Sequence, residues 1–145
     1  MTMPTEWRRE GNLPVELTSF VGRERVLAEV RRRLAAHRLV TITGIGGVGK
    51  SRTALRLAHT VREEYPDGAW YVDLSRLYDP SLLVHTVVAA LGIADQSARP
   101  EIEALADWLA GRRLLLLLDG CEHLIDACAA LVQELLQKSS GLRIL

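Results

Sequence analysis

The strongest constraint on the fold is a glycine-rich motif in the first half of the chain. Residues 44–51 read GIGGVGKS and match the pattern G-x-x-x-x-G-K-[ST] at every fixed position. A short run of β-branched and apolar residues precedes the motif at 39–43, and apolar residues at helical spacing follow it. A strand, a glycine turn and a helix in this order are typical of a phosphate-binding loop.

Each part of such a loop has a physical role. Glycines let backbone N–H groups approach phosphate oxygens closely, and the helix that begins near Lys50 directs its positive N-terminal end at the same anion. We expect Lys50 to reach the β- and γ-phosphates and the Ser51 hydroxyl to bind Mg²⁺. The predicted contacts of this segment with the nucleotide are Gly44, Ile45, Gly46, Gly47, Val48, Gly49, Lys50, Ser51 and Arg52.

The alternative interpretation of the motif is a glycine-rich turn that binds nothing. The choice of basic residues argues against it, because Lys50 and Lys138 are the chain's two lysines among 18 basic residues. A chain that otherwise takes its positive charge from arginine has a lysine at the position where the motif requires one. The motif therefore favours nucleotide binding.

A second candidate site follows a run of five leucines at 114–118. A run this apolar predicts a strand buried on both faces of a parallel sheet, and the next residue is Asp119. Because parallel strands point their carboxyl ends at the ligand crevice of an open α/β sheet, we expect Asp119 near Lys50 and Ser51. There it would hold Mg²⁺, directly or through water, as the Walker B residue. The alternative is an acid that only caps the next turn.

The rest of the chain predicts one α/β domain behind an irregular arm. Its 145 residues suffice for one domain, and proline and glycine interrupt any regular period in residues 1–19. Asp79 is predicted to cap a helix in which Pro80 occupies the first position. The predicted helices cover 23–36, 50–64, 80–91, 100–110 and 124–138, and the predicted strands cover 39–43, 69–74, 114–118 and 142–145.

Composition and charge exclude several classes of protein. The formal net charge is zero, which gives no overall electrostatic case for nucleic-acid binding. The arginines at 31–33 fit the solvated face of a helix. Cys121 and Cys128 alone do not make a zinc site, and we expect both to be reduced thiols. The N-terminus lacks the apolar core of a signal peptide and the leucine run is too short to cross a bilayer, so a cytoplasmic location is expected.

Four phrases of the sequence, in this order, resemble a known family. Together they are similar to the NB-ARC-like, STAND-class P-loop ATPase domain of bacterial LuxR-type and AfsR/SARP-type multidomain transcriptional regulators. The resemblance implies that residues 20–145 are the N-terminal part of such a domain. The phrases are LPVELTSFVGRE at 13–24, TITGIGGVGKSR at 41–52, DGAWYVDL at 67–74 and LDGCEHL at 118–124.

The resemblance implies more than the spacing does. It implies a three-layer fold with a parallel sheet in the strand order 5-1-4-3-2. It implies a switch that binds ATP or ADP with Mg²⁺ and hydrolyses ATP slowly, in which Lys50 and Asp119 act at the phosphates. The segment Val21, Gly22 and Arg23 would lie by the adenine. DNA would be contacted only through domains that this chain does not contain.

Two departures from the family pattern bear on activity. The family commonly has asparagine after the Walker B aspartate and related ATPases often place a second acid there, but this chain has Gly120. Glu122 is the nearest acid that could orient the attacking water, and it could equally be a solvated turn residue. The family also continues past residue 145 with a sensor arginine and a fifth strand. The first strand would then expose an edge, which predicts low stability or self-association of this segment alone.

Three functions are consistent with these residues. The first is an ATP/ADP switch of a transcriptional regulator, with slow or absent hydrolysis. The second is a P-loop small-molecule kinase, although no lid insertion is visible in the sequence. The third is a non-catalytic interaction module, a degenerate or truncated domain that no longer binds nucleotide. ATP is expected rather than GTP, because neither lysine lies in the Asn/Thr-Lys-x-Asp context that often reads guanine.

Overall fold

The computed structural model describes residues 11–15, 24–43, 49–95 and 97–145. Within these ranges five helices and three strands follow one another in a mixed α/β order, the class that the sequence predicts. Short 3₁₀ turns lie at Arg62–Glu64, Pro80–Leu82 and Glu122–Leu124. The main elements are α1 (Glu24–Ala36), α2 (Lys50–Val61), β1 (Ala69–Asp73), α3 (Leu83–Ala90), α4 (Glu101–Leu109), β2 (Leu114–Asp119), α5 (Ile125–Lys138) and β3 (Leu142–Ile144).

The sheet is parallel throughout and has the order β1-β2-β3. Residues 38–40 add to its far edge: Val40 N–H donates to the Ile144 carbonyl at 3.0 Å, and Ile144 N–H donates to the Arg38 carbonyl at 2.8 Å. If the bridged segment at 38–40 is counted as the first position, the described segments lie in the order 1-4-3-2. This confirms the predicted order for the part of the sheet that the structure describes.

The prediction of a full strand at 39–43 is wrong. Leu39 forms a single parallel bridge with Ile144, and residues 41–43 carry no regular secondary structure. The physical reason is the length of the partner: β3 has three residues and pairs with the chain only around Leu39. A β-branched sequence alone cannot form a ladder without a neighbouring strand.

The leucine run of β2 is buried on both faces, as predicted. Leu114 and Leu116 pack into the cluster formed with α3, α4 and α5, whereas Leu115 and Leu117 pack into the cluster formed with α1 and α2. Side chains of a strand alternate between faces, so one strand contributes to both clusters. The result is a three-layer α/β/α arrangement with β2 at its centre, consistent with a P-loop NTPase fold.

The described part of the N-terminal arm lies along the outer edge of the sheet. Gly11 forms a parallel bridge with Ala69. The Asn12 side chain accepts from Tyr71 N–H and donates to the carbonyls of Tyr71, at 3.0 Å, and Ala90, at 3.1 Å. Residues 11–15 form no helix or extended strand, as the sequence predicts, yet they satisfy backbone groups that β1 would otherwise expose.

No helix within the described ranges combines the length and the apolar character that crossing a membrane requires.

Candidate functional site

Part of the predicted site lies outside the described residues. Gly44, Ile45, Gly46, Gly47 and Val48 of the loop are in this group, and so are the proposed adenine contacts Val21, Gly22 and Arg23. The described part of the predicted site begins at the last glycine of the motif. It consists of Gly49, Lys50, Ser51, Arg52, Asp119 and Glu122.

The start of α2 has the geometry of an anion-binding helix N-terminus. Gly49 is the N-cap residue, with φ 78° and ψ 29°, a left-handed conformation that glycine adopts without steric cost. As a glycine, the N-cap residue supplies no side-chain hydrogen bond to the helix, and the first turn of α2 contains no acid. The backbone carbonyl of Gly49 accepts from both the N–H and the hydroxyl of buried Thr53, at 2.9 Å each. These two bonds anchor Gly49 to the first turn of α2, and the positive end of a helix favours an anion.

Ser51 and Asp119 come together although 68 residues separate them. The Ser51 hydroxyl donates to Asp119 Oδ1 at 2.8 Å. β2 ends at Asp119 and α2 begins at Lys50, so the sheet and helix place the two side chains at the same end of the domain. This is the proximity that the sequence predicts for a Walker A serine and a Walker B aspartate.

The donor set at this point fits Mg²⁺. A serine hydroxyl and a carboxylate are hard oxygen donors, and Mg²⁺ usually takes one or two protein ligands while keeping waters and phosphate oxygens. Within the described residues there is no group of three or more His, Cys, Asp and Glu side chains that could hold a metal without such help. The site therefore suits a metal that arrives with a phosphate.

Lys50 and Glu122 also meet at this end of the sheet. Lys50 Nζ lies 3.0 Å from Glu122 Oε1, and the exposed fraction of the two side chains is 21% and 65% respectively. The hydrogen bond from Lys50 is the main cause that lowers the pKa of Glu122 below its ordinary value. Glu122 is therefore a carboxylate at neutral pH and pairs with Lys50 in this structure.

Tyr71 is a site residue that the sequence analysis missed. Its hydroxyl donates to Asp119 Oδ2 at 2.7 Å. Burial, followed by the hydrogen bond to Asp119, raises the pKa of Tyr71, so the phenol stays protonated. The sequence predicts that Tyr71 lies in one strand and that Asp119 follows another, but it does not give the register that puts their side chains on one face. Only the register decides that they meet.

Gly120 explains the departure from the family pattern. Its φ is +76°, and a Cβ atom built there would lie 2.8 Å from the Ser75 backbone nitrogen in the turn that follows β1. A side chain at this position would require both a left-handed conformation and a displacement of that turn. A side chain after Asp119 would therefore be strained, which accounts for the glycine at this position.

A cavity of about 400 Å³ opens beside these side chains. Its polar rim includes Lys50, Asp119 and Glu122, and its volume lies within the range of about 300–1,000 Å³ that is usual for small-molecule sites. Cys121 and Cys128 also line it. Both are free thiols, as predicted, and burial raises the pKa of Cys128 to about 11.

The strand order and the helix start at Lys50 place this chain in the class of P-loop α/β domains. Comparison of the sequence with known families narrows the class further. The chain belongs to the AAA domain family, whose sequence model matches residues 13–145.

Several curated bacterial proteins contain a similar segment. An uncharacterized protein of Mycobacterium tuberculosis is 43% identical over 129 residues, which are 89% of this chain and 33% of that protein. A second protein of this organism, provisionally named an HTH-type transcriptional regulator, is 44% identical over 116 residues, 80% of this chain and 13% of its own length. The regulatory protein AfsR of Streptomyces griseus is 33% identical over 146 residues, 92% of this chain and 14% of that protein.

The chain thus spans about a third, or less, of the length of the curated relatives it matches. No solved structure matches it significantly.

Proposed function

We propose that this chain is an ATP/ADP-binding switch domain of a multidomain transcriptional regulator. The observation that carries the proposal is the 2.8 Å contact between Ser51 and Asp119 at the start of α2. The names of two relatives, an HTH-type transcriptional regulator and the regulatory protein AfsR, support the regulatory setting. Within this proposal the domain is of the NB-ARC-like, STAND class found in LuxR-type regulators, and it works in the cytoplasm.

In this proposal different residues bind the phosphates, the Mg²⁺ ion and the adenine. Lys50 would exchange its contact with Glu122 for one with the β- and γ-phosphates, because a phosphate carries more charge than one exposed carboxylate. Ser51 and Asp119 would hold Mg²⁺, which neutralises charge on the phosphates when bound. The amides of 44–49 would cradle the phosphates, with Arg52 next to them, and Val21, Gly22 and Arg23 would contact adenine.

Hydrolysis in this domain would be slow or absent. Gly120 supplies no acid after Asp119, and a side chain there would be strained and would have to displace the turn at Ser75. Glu122 is the remaining carboxylate near Lys50, and once released from the lysine it could orient a water. Because Glu122 is largely exposed to solvent, this group would be a weakly positioned base.

The direct test is a calorimetric titration of the purified chain with Mg-ATP, Mg-ADP and Mg-GTP. We expect binding of both adenine nucleotides and a loss of at least about tenfold in affinity for Lys50→Ala. Lys138→Ala is the matched control, because Lys138 lies in the last turn of α5 and pairs with Glu134. A phosphate-release assay then reports whether the bound ATP turns over.

Two outcomes would contradict the proposal. A folded sample that binds no nucleotide would favour the interaction-module alternative. Transfer of the γ-phosphate to a small molecule, measured in the same assay, would favour the kinase alternative.

A further inference from the structure

Both oxygens of the Asp119 carboxylate are engaged by hydroxyl groups. Ser51, at the start of α2, donates to Oδ1 at 2.8 Å. Tyr71, in the middle of β1, donates to Oδ2 at 2.7 Å. The carboxylate is therefore held between a helix on one side and the neighbouring strand on the other, and its orientation is fixed by two separate elements.

The register of the sheet fixes the contact between Tyr71 and Asp119. Tyr71 pairs with Leu117, and Asp73 pairs with Asp119, so Tyr71 is diagonal to Asp119 on the neighbouring strand. Residues two apart on a strand share a face, which places both side chains on the side covered by α2. Diagonal neighbours in a sheet lie within reach of long aromatic side chains.

The backbone of Tyr71 is fixed independently. The Asn12 side chain accepts from its N–H and donates to its carbonyl, and the aromatic ring packs against the buried cluster of α1 and α2. The hydroxyl is thus presented from an anchored backbone and an anchored ring. A donor so constrained favours one orientation of the acceptor.

We propose that Tyr71 is a positioning residue for the metal-binding carboxylate of this site. By holding Oδ2, Tyr71 leaves Oδ1 turned toward Ser51, so that the two protein oxygens suited to Mg²⁺ face one point. The inference rests on the proposed nucleotide function and adds to it a residue outside both Walker motifs. Hydrogen bonds to ligating carboxylates commonly change metal affinity by about 10- to 100-fold.

Tyr71→Phe is the substitution that tests this role, because it removes the hydroxyl and keeps the ring in the cluster. Tyr65→Phe is the matched control: Tyr65 is a half-buried tyrosine packed against the same cluster, whereas the tyrosine hydroxyl bonded to Asp119 is that of Tyr71. Each variant is titrated with ATP in the presence of Mg²⁺ and again in the presence of EDTA. Binding of Mn²⁺ with ATP, followed by electron paramagnetic resonance, reports on the metal directly.

The expected result is specific to the metal. Mg²⁺ should raise the ATP affinity of Tyr71→Phe about tenfold less than it raises that of the wild type. Binding of Mn²⁺ should weaken to a similar extent. The ATP affinity measured in EDTA should stay within about twofold of the wild-type value. Tyr65→Phe should match the wild type in all three measurements.

Two results would overturn the inference while leaving the proposed function intact. One is wild-type Mg²⁺ dependence in Tyr71→Phe. The other is an equal loss of affinity with Mg²⁺ and in EDTA, which would assign Tyr71 a purely structural role. If the wild-type chain itself binds no nucleotide in either condition, the proposed function fails, and this inference fails with it.

Discussion

Replacing Glu122 by glutamine separates two roles that this residue has in the proposal. In the structure the Glu122 carboxylate forms an ion pair with Lys50, with 3.0 Å between Oε1 and Nζ. Phosphate must displace this carboxylate before Lys50 can bind it. Glu122→Gln removes the competing charge and keeps the size of the side chain.

The expected gain in affinity is small, and the exposure of the pair sets its size. Because 65% of the Glu122 side chain is exposed, the ion pair is screened by solvent and contributes about 0.2–1 kcal/mol. Removing the pair should therefore strengthen nucleotide binding by roughly 1.4- to 5-fold, since 1.4 kcal/mol corresponds to tenfold. The gain should shrink as salt is added.

The assay is calorimetric titration with Mg-ATP at low and high salt, followed by measurement of phosphate release. Glu134→Gln is the control, because Glu134 forms a comparable exposed pair with Lys138 on α5. If Glu122 also orients water, phosphate release should fall even though binding tightens. Weaker binding of Mg-ATP by Glu122→Gln would refute the competition argument, because it would mean that the carboxylate helps to hold the ligand.

The remaining predictions concern pH, stability and thiol reactivity. The hydrogen bond from Lys50 lowers the pKa of Glu122 in the folded state. The stabilisation from this pair should therefore be fully present above pH 4.5 and be lost as the pH falls through the lower folded-state pKa. Glu122→Gln should flatten this part of a pH–stability curve. Gly120→Ala should reduce the free energy of unfolding by about 1–3 kcal/mol in urea titrations, whereas an unchanged midpoint would contradict the argument from φ. Leu116→Ala, in the centre of the buried strand, should reduce it by about 2–5 kcal/mol. Alkylation followed by mass spectrometry should label Cys121 before Cys128 in the folded protein, because burial keeps the Cys128 thiol protonated.

Two local features, one of them in the site, were predictable because they depend on short stretches of sequence. The motif at 44–51 specifies a turn followed by a helix, and the structure begins α2 at Lys50 with Gly49 in the left-handed conformation. The prediction that Asp79 caps a helix with Pro80 in its first position is confirmed by the hydrogen bond from Ser81 N–H to Asp79, although the first turn is 3₁₀ rather than α.

Other features were not predictable because they depend on which neighbour a segment meets. Residues 39–43 have strand-like composition, yet only Leu39 finds a bridge partner in β3. Glu122 could be a solvated turn residue by sequence, and its contact with Lys50 follows from the packing of β2 beside α2. The described arm residues looked irregular, and Asn12 nevertheless binds the backbone of β1.

The sequence by itself determined the α/β class, the two-sided burial of β2 and the expectation that Ser51 lies near Asp119. Local propensity, hydrophobic periodicity and glycine geometry act over a few residues, and these features follow from them. Only the tertiary structure decided three contacts. The Tyr71 hydroxyl donates to Asp119, and Lys50 donates to Glu122. Gly120 packs against the backbone of Ser75. Each of these contacts joins side chains or backbone from different elements, and their distances are set by strand register and helix packing.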